Sequence, residues 1–334
     1  MIKGEVRMKV FDVTLAPNNA RLTCYLQDQS EEMATAKTRP AMLVFPGGGY
    51  LMCSDREAEP VALHFLSEGY NAFILRYSVG PTTPWERSFE DAESSLEYLL
   101  DHAEELHILK EKIAVIGFSA GGHLAASLAT LGKNRPAALV MGYPVITEEW
   151  GVMVGKPMPA CQEKVDEKTP PTFLFATSDD GLVPVKNSLL FAQALAQKDI
   201  LFEMHIYPHG EHGCSVAKPF AANGRSQMVN PDATDWLKDS IRFLHHALGD
   251  FTVDGKENNG DFPNYDTIDL ETPLKFIFKN PKARAAFDTA FPGVLAQVEG
   301  NVMARGQALG GLMVYNSEVF SKEAVEKFLA LLQE

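Results

Sequence analysis

The sequence has little positive charge, few cysteines and no long apolar run. Among its 334 residues, 30 are Lys or Arg and 44 are Asp or Glu, so the formal net charge is −14. Because such a chain repels polyphosphates and anionic lipids, we expect it to bind neither nucleic acid nor membranes. No apolar stretch reaches transmembrane length, and residues 1–7 lack the apolar core of a secretory signal. These absences favour a cytoplasmic location.

The four cysteines, Cys24, Cys53, Cys161 and Cys214, are scattered without the CxxC spacing that is typical of zinc sites. We therefore expect reduced thiols, no disulfide framework and no metal. The hydrophobic fraction of 46% and the charged fraction of 22% are those of a globular protein. A chain of this length can bury a large core without a covalent or metal staple.

Short β-rich runs alternate with helical patterns through most of the chain. The middle runs, such as 41–45 and 114–116, are continuously apolar, which suits strands that are buried on both faces of a parallel sheet. The first two runs are mixed and could form an antiparallel edge. Helical patterns at 58–68, 88–103, 185–197 and 232–248 lie between or after the strands. The predicted strands are 5–13, 21–26, 41–45, 71–77, 113–118, 138–142, 172–176 and 202–207.

Two segments interrupt this alternation. Residues 146–170 form a long connection, which the sequence leaves open as a functional loop or a variable surface loop. Residues 249–268 are rich in Asp, Asn and Gly and are predicted to be a linker. Beyond them, patterns at 274–278, 283–291, 294–304 and 323–332 predict a small helical unit. The expected domains are therefore 1–248, the linker 249–268, and 269–334.

A candidate nucleophile lies between a strand and a helix. Residues 117–121 fit G-x-S-x-G around Ser119; an apolar strand pattern precedes them and a helical pattern follows. A nucleophilic serine must project above the sheet on a sharp turn, and Gly117 and Gly121 remove the side chains that would collide there. The sequence therefore predicts Ser119 as the nucleophile of a hydrolase.

Three consecutive glycines at 47–49 follow the third predicted strand. Their backbone N–H groups can point outward without an intervening side chain, as donors to a tetrahedral oxyanion must. We assign this role to Gly48 or Gly49, together with the N–H of Ala120. The sequence does not decide between the two glycines.

The acid and the base of a triad on this type of fold follow the serine in the order acid, histidine. Asp179 and Asp180 both follow the strand at 172–176, and the D-x-x-V-P pattern that begins at Asp180 favours the second. His212 follows the last strand between two glycines and is favoured over His209, whereas His205 is expected to lie within the strand. We predict that His212 acts as base and that Asp180 orients it, with no cofactor.

These motifs together resemble the bacterial acetyl esterases and xylan-esterase-like members of the α/β hydrolases. The resemblance lies in residues 46–50, 117–125, 179–188 and 210–213 and covers roughly residues 10–248. It implies a mostly parallel, doubly wound sheet of about eight strands flanked by helices, with a small helical appendage at the C-terminal end. It also implies a serine carboxylesterase that removes short acyl groups, often acetyl groups, from xylan-derived sugars. Phe45 stands where many lipase-like relatives carry histidine, which favours the acetyl-esterase branch.

The alternatives are a peptidase related to prolyl oligopeptidases and a non-catalytic binding protein on a hydrolase fold. Tyr50, Trp85 and Trp150 are candidate sugar-stacking residues, although each aromatic ring could equally belong to the core. The helical unit could cover the pocket, form a homodimer contact or simply stabilise the chain. The predicted partner is a small ester, for example an acetylated oligosaccharide.

Overall fold

The computed structural model describes residues 8–261, 265 and 267–333, which form two compact units. The first unit ends at Asp261, and the second comprises the described residues that follow. Across this described part of the chain, no helix combines the length and the apolar character that crossing a membrane requires.

The first unit is built on an eight-stranded sheet in the order β1-β2-β4-β3-β5-β6-β7-β8. β2 pairs antiparallel with β1 and β4, and all other neighbours are parallel. Residues 5–7 of the first predicted strand lie outside the described residues. The predicted fold, with its mixed antiparallel edge, is confirmed. The strands are β1 (Met8–Leu15), β2 (Ala20–Gln27), β3 (Arg39–Phe45), β4 (Asn71–Arg76), β5 (Ile108–Phe118), β6 (Ala138–Gly142), β7 (Thr172–Thr177) and β8 (Phe202–Tyr207).

Helices cover both faces of this sheet, which explains why its central strands are apolar along their whole length. The helices of this unit are α1 (Glu59–Ser67), α2 (Trp85–Asp101), α3 (Ala120–Leu131), α4 (Glu149–Val154), α5 (Lys186–Gln197) and α6 (Asp235–Leu248). Leu43 of β3 shares a core with Leu124 of α3. Phe175 of β7 stacks on Trp236 of α6 with ring centroids 4.7 Å apart.

The long connection 146–170 is more ordered than the sequence indicated. It contains α4 and a 3-10 turn at Cys161–Lys164. Ile146, Cys161 and Val165 are buried in the core of the sheet unit. The segment therefore packs on the fold as an ordered insertion. The sequence did not predict this, because its apolar residues recur too sparsely to show a helical period.

The predicted linker 249–268 also contains regular structure. Strands β9 (Asp250–Val253) and β10 (Lys256–Asn258) form a hairpin around Asp254 and Gly255, both of which have positive φ. An Asp-Gly pair fits this turn, and the polar composition that suggests a linker suits a hairpin equally. Residues 262–264 and 266 of the predicted linker lie outside the described residues. The domain boundaries drawn from the sequence stay predictions.

The second unit is helical and has its own core. Phe287 is fully buried and packs against Phe291 and Phe328. The predicted pattern 294–304 is divided into two helices, with Asn301 capping the second. The helices are α7 (Leu274–Lys279), α8 (Pro281–Ala290), α9 (Leu295–Glu299), α10 (Val302–Arg305), α11 (Leu309–Tyr315) and α12 (Lys322–Gln333).

Candidate active site

Ser119 lies on the sharp turn between β5 and α3. Its backbone has φ 51° and ψ −120°, which only strongly constrained surroundings maintain in a residue other than glycine. A Cβ on Gly117 would lie 2.1 Å from the carbonyl oxygen of Gly121, so the turn cannot close this tightly with a larger residue at position 117. The local sequence thereby forces the Ser119 hydroxyl out of the sheet edge.

The Ser119 hydroxyl meets a histidine and an aspartate that follow later strands. His212 Nε2 lies 2.8 Å from Ser119 Oγ, and His212 Nδ1 lies 2.6 Å from Asp180 Oδ2. Both contacts are satisfied when Nδ1–H donates to Asp180 and Nε2 accepts from the serine hydroxyl. In this tautomer the imidazole can take the serine proton while the carboxylate stabilises the imidazolium.

Asp180 is held by the turn that follows β7. Its Oδ1 atom accepts hydrogen bonds from the N–H groups of Leu182 and Val183, each at 2.9 Å. The side chain is 1% exposed, whereas that of His212 is 11% exposed. The other carboxylate oxygen, Oδ2, is therefore held in position to accept the hydrogen bond from His212 Nδ1, which restricts the orientation of the imidazole.

His209 and Asp179, which the sequence analysis ranked below His212 and Asp180, form a separate pair outside the triad. His209 Nδ1 lies 2.9 Å from Asp179 Oδ2, and the His209 side chain is 87% exposed. The hydrogen bond from His209 holds the pKa of Asp179 below its usual value. His205 lies on β8, 2.7 Å from Glu203. In the described residues, neither His209 nor His205 is bonded to Ser119.

The glycine run after β3 leaves backbone donors free beside the serine. Gly48 and Gly49 have φ values of 125° and 66°, conformations that glycine adopts without strain. Within the described part of the chain, the N–H groups of Gly48, Gly49 and Ala120 donate to no protein acceptor. The N–H of Gly47 is occupied, because it donates to Glu57. The arrangement can stabilise an oxyanion, and the choice between Gly48 and Gly49 stays open.

A cleft of about 550 Å³ opens over these groups, and its lining includes Ser119, His212, Gly48 and Gly49. A smaller pocket of about 140 Å³ is lined by Val145 and Thr147 after β6, by residues of α4 and by the turn after β7. Trp150 and Leu182 line both cavities. The site thus offers one wide space and one narrow space that share a wall.

The three aromatic residues singled out in the sequence differ in position. Trp150 lines the cleft. Tyr50 is buried, and its hydroxyl lies 2.8 Å from His123 Nδ1. Trp85 is also buried and stacks on Phe89 with ring centroids 5.0 Å apart. The structure therefore brings neither Tyr50 nor Trp85 to the cleft, because both rings are buried in the core of the first unit.

Sequence reasoning missed three buried polar residues around the site. Glu57 accepts hydrogen bonds from Gly47 and Tyr143, and the Tyr143 ring packs edge-on against His212 with centroids 5.0 Å apart. Burial lowers the pKa of His123 to about 4, which keeps its imidazole neutral. His123 lies two residues after the serine motif, but an isolated Glu or Tyr carries no local signal that it will be buried beside a serine.

The chain is similar to known hydrolases. A family model described as BD-FAE matches residues 28–142, and the model of the prolyl oligopeptidase family matches residues 156–245. Endo-1,4-beta-xylanase B of Butyrivibrio fibrisolvens is 34% identical over 54% of this chain and 33% of its own length. Acetylxylan esterase of Xylanibacter ruminicola is 27% identical over 74% of this chain and 55% of its own. The chain thus spans a third to about half of these curated relatives.

Two solved structures match over most of their lengths. MGS-M1, an alpha/beta hydrolase enzyme from a Medee basin deep-sea metagenome library, is 46% identical with a TM-score of 0.67. The match covers 71% of this chain and 97% of that one. An acetyl ester-xyloside bifunctional hydrolase from Caldicellulosiruptor lactoaceticus is 35% identical with a TM-score of 0.59, over 68% of this chain and 88% of that one.

Proposed function

The chain belongs to the esterase-like α/β hydrolases, and we propose that it is a serine carboxylesterase that hydrolyses short-chain acyl esters, acetyl esters above all. The observation that carries the proposal is the hydrogen-bonded line from Ser119 through His212 to Asp180, at 2.8 and 2.6 Å. This line starts from a strained turn beside free backbone donors, which is the combination that acyl transfer requires.

In the proposed reaction, His212 takes the Ser119 proton while Oγ attacks the acyl carbonyl. The N–H groups of Ala120 and of Gly48 or Gly49 stabilise the oxyanion. His212 then protonates the leaving alcohol as the ester C–O bond breaks, which leaves an acyl group on Ser119. Water, activated by the same histidine, releases the acid and regenerates the serine. Asp180 holds the tautomer and balances the imidazolium charge. The proposed reaction uses no cofactor and no metal.

We assign the acyl group to the narrow pocket, which is much smaller than the cleft around Ser119, about 140 against 550 Å³, and shares Trp150 and Leu182 with it. The wider cleft would receive the alcohol. The names of two similar proteins, an acetylxylan esterase and an acetyl ester-xyloside hydrolase, support an acetylated xylo-oligosaccharide as the substrate. The net charge of −14 also favours such a neutral ligand.

Hydrolysis of p-nitrophenyl acetate, butyrate and octanoate by wild type and Ser119→Ala tests the mechanism. We expect wild type to prefer acetate and Ser119→Ala to lose activity by about 10⁴-fold or more. Ser67→Ala is the matched control, because Ser67 is an exposed serine at the end of α1. Release of acetate from acetylated xylo-oligosaccharides tests the alcohol part. Wild type that is inactive on every ester, or an active Ser119→Ala variant, would refute the proposal.

A serine peptidase is the second candidate, because the prolyl oligopeptidase model matches residues 156–245 and thus includes Asp180 and His212. Cleavage of a peptide panel faster than cleavage of the acetate ester would favour it. The third alternative, a non-catalytic binding protein, is excluded by any turnover that depends on Ser119. The cytoplasmic location and the homodimer stay predictions.

A further inference from the structure

A carboxylate is buried next to the site without a basic partner. Glu57 is 2% exposed, and it takes part in no ion pair within the described residues. Its Oε2 atom accepts the Gly47 N–H at 2.8 Å, and its Oε1 atom accepts the Tyr143 hydroxyl at 2.6 Å. Burying a charged group is costly unless hydrogen bonds replace those it made to water. These two hydrogen bonds therefore stabilise the buried carboxylate.

The first bond fixes the loop that carries the three glycines, residues 45–54, here called the glycine loop. Gly47 directly precedes the two candidate oxyanion donors, and its carbonyl oxygen accepts the N–H of Ser54 at 2.9 Å. A Cβ on Gly47 would lie 2.6 Å from Glu57 Oε2 and 3.0 Å from Ser119 Cβ. The carboxylate therefore sets the peptide plane from which the loop turns towards Ser119.

The second bond connects Glu57, through Tyr143, to the loop that carries His212, residues 209–217, here called the histidine loop. The Tyr143 hydroxyl oxygen accepts the N–H of Ser215 at 2.8 Å, so its own proton is available to Glu57. The ring of the same tyrosine packs edge-on against His212, with an interplanar angle of 69°. Tyr143 and Ser215 both have positive φ, a conformation that surrounding bonds must maintain.

The neighbouring residue strengthens the same connection. The Arg56 guanidinium donates to the carbonyl oxygen of Gly213 at 2.6 Å, and the Arg56 carbonyl oxygen accepts the Ser215 hydroxyl. Residues 56 and 57 thus hold the histidine loop on both sides of Cys214. Burial, together with the nearby Glu57 charge, raises the pKa of the Cys214 thiol, which lies between these two contacts, to about 12.

We propose that Glu57 is a positioning residue whose two hydrogen bonds align the glycine loop with the histidine loop. The inference rests on the proposed function, because it assigns roles relative to Ser119-dependent ester hydrolysis. One buried carboxylate would thereby connect two loops that are distant in the sequence. Its hydrogen-bond partners Gly47 and Tyr143 lie ten and 86 residues from Glu57, on opposite sides of it.

Glu57→Gln is the decisive variant, because it keeps the shape and one acceptor while removing the charge and one of the two bonds. We expect kcat on p-nitrophenyl acetate to fall about 100-fold with KM changed less than about threefold, since the loss falls on the transition state.

Asp55→Asn is the matched control. It removes one carboxylate from the same short 3-10 turn, but the Asp55 side chain is 86% exposed and pairs with Arg76. We expect this variant to keep the kcat and KM of wild type. Tyr143→Phe cuts only the connection to the histidine loop and should lower kcat about tenfold, which provides a second variant if Glu57→Gln folds poorly.

Hydrogen–deuterium exchange supplies a readout that does not depend on turnover. Exchange in Glu57→Gln should accelerate in both segments 45–54 and 209–217, while the strands β6 and β7 stay protected. Unchanged exchange in these segments would overturn the inference, as would a kcat within about threefold of wild type. Failure of the proposed function is separate, since it shows as the absence of Ser119-dependent turnover in wild type.

Discussion

His123 gives the stability of the first unit a pH dependence whose size follows from the structure. The side chain is fully buried on α3, where Nδ1 accepts the Tyr50 hydroxyl and Nε2–H donates to the carbonyl oxygen of Pro159, each at 2.8 Å. Both ring nitrogens are therefore satisfied in the neutral form. Burial lowers the pKa from 6.5 to about 4, because a charged imidazolium would lack solvent there.

The depressed pKa fixes the sign of the effect. The unfolded chain binds a proton near pH 6.5, whereas the folded chain binds it only near pH 4, so acid favours unfolding. The contribution of His123 is fully present above pH 6.5 and is lost as the pH falls towards 4. At about 1.4 kcal/mol per pKa unit, the full loss is about 3 kcal/mol, and about 2 kcal/mol of it falls between pH 7 and pH 5.

Urea unfolding of wild type and His123→Gln at pH 7 and pH 5 measures this contribution. Tryptophan fluorescence reports on the first unit alone, because Trp85, Trp150 and Trp236 all belong to it. The glutamine keeps an acceptor and a donor but does not titrate. We expect wild type to lose about 2 kcal/mol more than the variant between the two pH values. His64, whose pKa burial also lowers, is present in both proteins and cancels. Equal pH dependence in the two proteins would refute the reasoning.

Two further predictions concern one cavity and one core. Trp150→Ala removes a wall shared by the 140 Å³ pocket and the cleft, so the butyrate-to-acetate ratio of kcat/KM should rise several-fold. Val152→Ala, on the exposed side of the same helix, should leave the ratio unchanged, and an unaltered ratio in Trp150→Ala would contradict the assignment of the pocket. Phe287→Ala should destabilise the helical unit by about 3–5 kcal/mol, measured by hydrogen exchange of α8 and α12 in the full chain. A loss under about 1 kcal/mol would show that this core is not cooperative.

The predicted fold was accessible because its signal is local. Continuous apolar runs such as 41–45 and 138–142 favour strands that are covered on both sides, and the structure has β3 and β6 there. Where the local signal is weak, the sequence was less informative. The hairpin at 250–258 has a polar composition that also fits a linker, and α4 lies in a segment without a clear period.

The candidate site divides in the same way. Ser119, Asp180 and His212 each stand in a motif whose order along the chain carries the information, and the structure brings their side chains together. Their catalytic roles stay predictions until the variants are measured. Tyr50 and Trp85 carry no motif, and their burial in the core could not be deduced from residue type alone.

The sequence by itself determined the family, the strand–helix alternation and the residues from which a triad could form, because these depend on local motifs and on their order along the chain. Only the tertiary structure decided which residues surround that triad. Glu57, Tyr143 and Ser215 become partners because β3, β6 and β8 end at the same edge of the sheet, so that the loops after them converge. Burial explains the proposed role of Glu57. A carboxylate removed from water must be matched by hydrogen bonds, and here those bonds hold two loops in place.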